Sequence, residues 1–171
     1  MRRSSRRLSP ERARVLALLE EAFAGPAWHG PSLTGALRGV TPAEASWRVA
    51  PGRNTIWELL LHAAYTKYVV RGRLLGQAER FPRPLQRSWW PALPGRPDAG
   101  AWRRDRALLG AAHRALVEAV VTATEAQVRR RLRRPLLEQI AGAALHDTYH
   151  GGQIGLLRKL YSGMRRTRAP A

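Results

Sequence analysis

Residues 135–161 carry an apolar stripe at helical spacing: Leu136, Ile140, Ala143, Ile154, Leu157 and Tyr161. Asp147 and His150 break it near the middle. A run this long with a period near 3.6 predicts a single helix whose seam is buried against other helices. Polar groups in such a seam need partners, so the stripe constrains both the fold and the place where chemistry can sit. His146 borders the seam. On a helix, His146 and His150 project from the same face, about 40° apart. Neutral imidazole nitrogens are good ligands for zinc, nickel or ferrous iron. Two ligands make an incomplete site, and a third has to come from elsewhere in the chain.

The rest of the chain supplies helices for the seam to pack against and no convincing strand. A first helix opens at Ser9-Pro10-Glu11, an N-cap followed by proline at the first helical position, and ends at Gly25-Pro26. A short helix is expected around 33–37, and Thr41 with Glu44 marks a capped turn. Thr55-Ile56-Trp57-Glu58 is a capping box opening a second long helix that stops near Gly76. Residues 77–100 are rich in Pro, Arg and Trp, including Trp89-Trp90-Pro91. A connection this long is commonly a functional loop or a crossover, and a crossover lets two consecutive helices run parallel. A third long helix covers roughly 99–121, and a capped segment follows at Thr124–Gln127. The fourth begins near Pro135 and runs to about Tyr161, with Gly163 as its stop. The expected fold is all-α: a four-helix bundle with a long crossover loop between helices 2 and 3. It occupies residues 9–162, between disordered basic tails at 1–8 and 163–171.

A chain of 171 residues fits one domain with a real core. It has no cysteine, which excludes a disulfide framework, a thiolate metal site and a cysteine nucleophile. The formal charge is +18. Of the 30 basic residues only Lys67 and Lys159 are lysines, and a bias of arginine, alanine, proline and glycine with almost no lysine has the look of genome composition. The arginines are scattered: Arg2, Arg3, Arg6 and Arg7 at one end, Arg165, Arg166 and Arg168 at the other, and Arg129–Arg131 with Arg133 and Arg134 before the last helix. Charge alone supports only non-specific attraction to nucleic acid. No segment approaches the ~20 apolar residues needed to span a membrane. The arginines at the start are followed by no apolar signal region, so a cytoplasmic protein is expected.

The donor on another helix is His62, embedded in Leu59-Leu60-Leu61-His62-Ala63-Ala64, an apolar setting that hosts a lone imidazole poorly. Three histidines with no fourth protein ligand leave an open position, as a catalytic metal requires. Three further residues are candidates for catalytic or supporting roles. Glu58 is either a base or supporting acceptor one turn before His62, or the capping-box glutamate bonding Thr55. Asp147 either orients a histidine or pairs with an arginine. Gln153 either donates to substrate or water, or is a polar residue of the bundle. Gly151-Gly152 inside a helix costs about 1 kcal/mol per glycine relative to alanine, which points to a need for space. His29 either reaches the mouth of the site or is a surface or hydrogen-bonding loop residue, and His113 reads as structural or solvent-facing. Trp89-Trp90 forms either a lid or a hydrophobic plug, and Tyr65 and Tyr149 either line a pocket or pack.

Ile56-Trp57-Glu58-Leu59 leading to His62, then His146-Asp147-x-x-His150-x-x-Gln153-Ile154, resembles the DinB-like (YfiT-type) superfamily of metalloenzymes. Gly25-Pro26-x-Trp28-His29-Gly30-Pro31-Ser32-Leu33 and Pro51-Gly52-Arg53 resemble one branch of it. The resemblance spans about 16–160. It implies a four-helix bundle in up-down-down-up order and a divalent metal ion (zinc, nickel or iron) on His62, His146 and His150. It also implies a small-molecule substrate, since some relatives are transferases using a low-molecular-weight thiol. Metal-assisted hydrolysis is the second reaction class. A bundle of this size is compatible with a homodimer. The readings from other classes are a basic nucleic-acid-associated binding protein and an inactive structural bundle.

Overall fold

The computed structural model describes residues 8–78 and 80–167, so the arginines at positions 2, 3, 6, 7 and 168 lie outside the described residues. Local sequence signals set most helix boundaries. Helix α1 (Pro10–Ala24) starts on Ser9, whose hydroxyl accepts from the Arg12 N–H, with Pro10 at the first turn. Two short helices follow, α2 (Leu33–Ala36) and α3 (Pro42–Ser46), the latter capped by Thr41 on the Glu44 N–H. Helix α4 (Ile56–Leu75) opens on a complete Thr55–Glu58 capping box and closes on Gly76. Gly76 has φ 72°, a left-handed conformation that glycine adopts without steric cost. Helix α5 (Ala99–Thr122) is capped by Asp98, and α6 (Glu125–Arg129) by a second capping box, Thr124 with Gln127. Helix α7 (Leu136–Thr167) is the longest. It runs straight through Gly163, which the sequence marks as a stop, so residues 163–167 of the expected C-terminal tail are helical. Helices α4 and α7 pack on each other, α4 on α5, and α1 on α7 and α5.

The long connection is not patternless. Strands β1 (Leu85–Arg87) and β2 (Trp90–Pro91) pair antiparallel, and β2 lies against α4. Among the described residues the chain is therefore mostly helical with one small two-stranded sheet. Among the described residues no helix is long and apolar enough to cross a membrane.

The core comes in two clusters. One gathers Phe23, Leu33, Trp57, Leu60, Trp102, Leu109 and Ile154 among others. The other gathers Leu19, Val70, Leu74, Leu116, Val120, Leu136 and Ile140. On α4 the first cluster ends at Ala64 and the second begins at Val70; on α7 the second ends at Ala144 and the first resumes at Ile154. Lys67, Asp147 and His150 occupy the gaps, and His113 does the same on α5 between Ala112 and Leu116; all four are buried. A polar layer thus crosses the molecule between two apolar ones, and groups placed there are desolvated unless they satisfy one another.

Candidate metal centre

His62 leaves the middle of α4 toward α7, where His146 and His150 stand one turn apart. The three rings meet at their Nε2 atoms: His146 Nε2 lies 3.0 Å from His62 Nε2 and 3.0 Å from His150 Nε2. One ligand atom from each histidine can be chosen so that all three lie within 4.8 Å of one another. His62 keeps 9% of its surface and His150 4%. Nitrogens about 2.0–2.1 Å from a tetrahedral zinc stand about 3.3 Å apart, so the spacing is close to that of a ligand set.

The opposite ring nitrogens explain why the Nε2 atoms face inward. His62 Nδ1–H donates to the Trp89 carbonyl at 2.6 Å. His150 Nδ1–H donates to Gln153 Oε1 at 2.6 Å. A neutral imidazole that donates from Nδ1 carries its lone pair on Nε2, so both rings aim lone pairs at the centre. His146 Nδ1 is buried with no partner among the described residues. A single proton on His146 Nε2 could serve only one of its two neighbours. A cation satisfies all three lone pairs at once, so this donor set fits a divalent metal.

Charge state agrees with that fit. Burial, followed by the nearby His150, His62 and Lys67 charges, pushes His146 down to about 3. Burial likewise pushes His150 down to about 4 against the opposing Gln153 bond. His62 is also lowered, mainly by burial and further by the Arg87 charge, with the Trp89 carbonyl opposing. Neutral imidazoles bind a metal without first losing a proton.

The walls of the centre come from the hairpin. Trp90 stacks on His62 with ring centroids 4.1 Å apart and planes 8° apart. Arg87 lies over the Trp90 ring at 4.7 Å and bonds Asn54 Oδ1 at 2.5 Å. Trp89 has φ 67°, an uncommon value for a non-glycine residue, and its ring contacts Tyr65 and Arg73. On the other side the exposed Tyr149 sets its edge against His150, centroids 5.1 Å apart.

The other sequence candidates resolve individually. Glu58 Oε2 accepts from the Thr55 N–H at 2.7 Å and Oε1 from Arg48 at 3.0 Å, so its carboxylate is engaged in the cap and an ion pair. Burial raises Glu58, but Arg48 and the Thr55 N–H together outweigh it and hold the carboxyl below its ordinary value. Among the described residues Asp147 pairs neither with an arginine nor with a histidine. Both its oxygens accept from Lys67 Nζ, at 2.7 and 2.5 Å, and the two side chains are 0% and 1% exposed. Burial raises the Asp147 carboxyl, with Lys67 opposing. His113 is buried, stacks on Phe23 at 3.7 Å and meets Glu20 at 3.1 Å, which makes it structural. His29 is exposed in its loop. Sequence reasoning missed two partners, Lys67 and the Trp89 carbonyl; it singled out Trp89-Trp90 as a lid or plug without placing the Trp90 ring on His62. It did not name His150 as the partner of Gln153, although the spacing of three pointed to that histidine.

A family model described as the DinB superfamily matches residues 27–154, a stretch that holds all three histidines and the hairpin. No curated protein and no solved structure matches the chain.

Proposed function

The chain belongs to the DinB superfamily, and from that premise we propose that it binds one divalent metal ion through His62, His146 and His150. The observation that carries this reading is the convergence of three Nε2 atoms while two of the opposite Nδ1 atoms are tied to acceptors. The family's up-down-down-up order of the four long helices, with residues 9–162 as one domain, is part of the same reading, as is action in the cytoplasm. A metal with three protein ligands keeps open positions and supplies Lewis acidity, which lowers the pKa of a thiol or water that reaches it.

The chain's own residues do the rest. Gln153 and the Trp89 carbonyl hold two imidazoles in one tautomer. Trp90 excludes water from one face of His62. Lys67 and Asp147 tie α4 to α7 beside the ligands, which leaves Asp147 no free oxygen for a ligand or base role. With no cysteine in the chain, a thiol nucleophile has to arrive as a cosubstrate, and the surrounding positive charge favours an anionic one. Activation of a low-molecular-weight thiol for transfer to an electrophile is the reaction class we assign, with activation of water for hydrolysis second.

Elemental analysis of purified protein tests the premise of both. Wild type should carry about one metal ion per chain and His150→Ala only traces, while retaining its helical content. Trace metal in the wild type after growth in metal-supplemented medium ends the reading.

A further inference from the structure

Helix α7 buries one face and leaves the opposite face bare. Leu145 is 72% exposed, Tyr149 64%, Leu156 59% and Leu160 44%. At 100° per residue these four, with Gly142, Gly152 and Gly163, fall in one sector about 80° wide. The three glycines have nothing within 4 Å of where a Cβ would sit. The chain's own packing therefore does not require them, and glycine is a poor helix former. Glycine on an exposed helix face does allow another backbone to come close.

The pattern is also a palindrome. Gly142 and Gly163, Leu145 and Leu160, and Tyr149 and Leu156 are each symmetric about the bond between Gly152 and Gln153. Two copies of α7 crossed antiparallel at that point would set Leu145 against Leu160, Tyr149 against Leu156 and glycine against glycine. That is the self-complementarity a two-fold interface demands. Charge selects the same occupant. Between Glu138 and Arg158 the only charged side chain on α7 is Asp147, which is buried. In a chain of net charge +18 the middle of this face is a place where two copies can meet without cationic repulsion, the exposed Lys159 bordering the stripe about 10 Å from the axis. An acidic partner would find its complement on the arginine surfaces instead. Antiparallel pairing also brings Glu138 of one copy to the Arg166 end of the other.

We propose that this α7 stripe is a homodimer interface, with its two-fold axis at Gly152 and Gln153. The stripe is about 33 Å long, and a face one helix diameter wide offers roughly 350–400 Å² per copy. That is about half of the ~800 Å² per partner in a standard interface, so the dimer dissociates at about micromolar concentrations or above. Tyr149 sits in the stripe and against His150, which makes the interface the outer wall of the histidine cluster. The proposal does not depend on metal binding.

Sedimentation velocity from about 1 μM to about 1 mM, with and without zinc, tests it. Wild type should shift from monomer to dimer over that range. Gly152→Arg and Leu156→Arg should stay monomeric with unchanged helical content. Val121→Arg, at an exposed apolar position on α5, should dimerise like the wild type. Gly152→Ala should raise the thermal midpoint of the monomer while weakening the dimer. A monomeric wild type at the highest concentration overturns the proposal. So does a dimer that survives both stripe arginines, or one that Val121→Arg abolishes equally.

Discussion

His146 Nε2 lies 3.0 Å from the Nε2 atoms of both His62 and His150, and burial opposes a second, charging proton on any of these rings. His146 at about 3, His150 at about 4 and the remote His113 at about 4 are neutral in the fold at pH values where the unfolded chain protonates them. Between about pH 6.5 and those folded values the unfolded chain binds more protons, so unfolding free energy falls as pH is lowered. The metal-free protein should hold its full stability above about pH 7 and lose it steadily toward pH 4. His113→Phe keeps a ring against Phe23 and removes one depressed histidine, so its stability should decline less steeply over that window. Urea midpoints measured from pH 7 to 4 decide this, and identical slopes would sink the assignment. The histidines were legible because each stands out in an apolar run. Lys67 was not, yet a signal existed: one of only two lysines among 30 basic residues lies inside the second helix. The Trp89 carbonyl could not be read, because a backbone acceptor leaves no trace in side-chain pattern.

Helix starts were readable because caps are local chemistry: Thr55 with Glu58, Thr124 with Gln127 and Asp98 each satisfy N–H groups within three residues. The hairpin escaped because all three residues of β1 are exposed and its partner spans only Trp90–Pro91, so no alternation between apolar and polar develops. That element nonetheless supports the centre twice, through the Trp89 carbonyl and the Trp90 ring. The left-handed backbone at Trp89 is a local strain of about 1–3 kcal/mol that surrounding contacts hold in place. Glycine at that position relieves the strain and keeps the carbonyl. Trp90→Ala removes the ring that shields His62. Trp90→Ala should therefore weaken zinc binding by about 10–100-fold, whereas Trp89→Gly should bind zinc within a few-fold of the wild type. Competition against a chromophoric chelator measures both. Equal losses would mean that the hairpin acts only as bulk packing.

Across the whole molecule, a polar layer lies between the two apolar clusters where α4 packs on α7. Lys67 and Asp147 are almost fully buried and bond each other, and Lys67 Nζ also lies 5.3 Å from the Phe23 ring centroid, linking α1 to the same layer. A buried ion pair is weak evidence for stability, since two desolvated charges offset most of their attraction. Breaking one partner is different, because the other is left uncompensated. Lys67→Met should cost about 3–5 kcal/mol, at the lower end because burial already raises the Asp147 carboxyl and lets it take a proton. Lys67→Met combined with Asp147→Leu should recover most of that loss or exceed wild-type stability, as apolar replacement of a buried pair often does. If the pair sets the register of the two ligand-bearing helices, the double variant should still bind zinc less tightly than wild type despite its restored stability. Denaturant unfolding beside zinc titration separates the two effects. Restored stability with wild-type zinc affinity would show that apolar packing alone aligns the histidines.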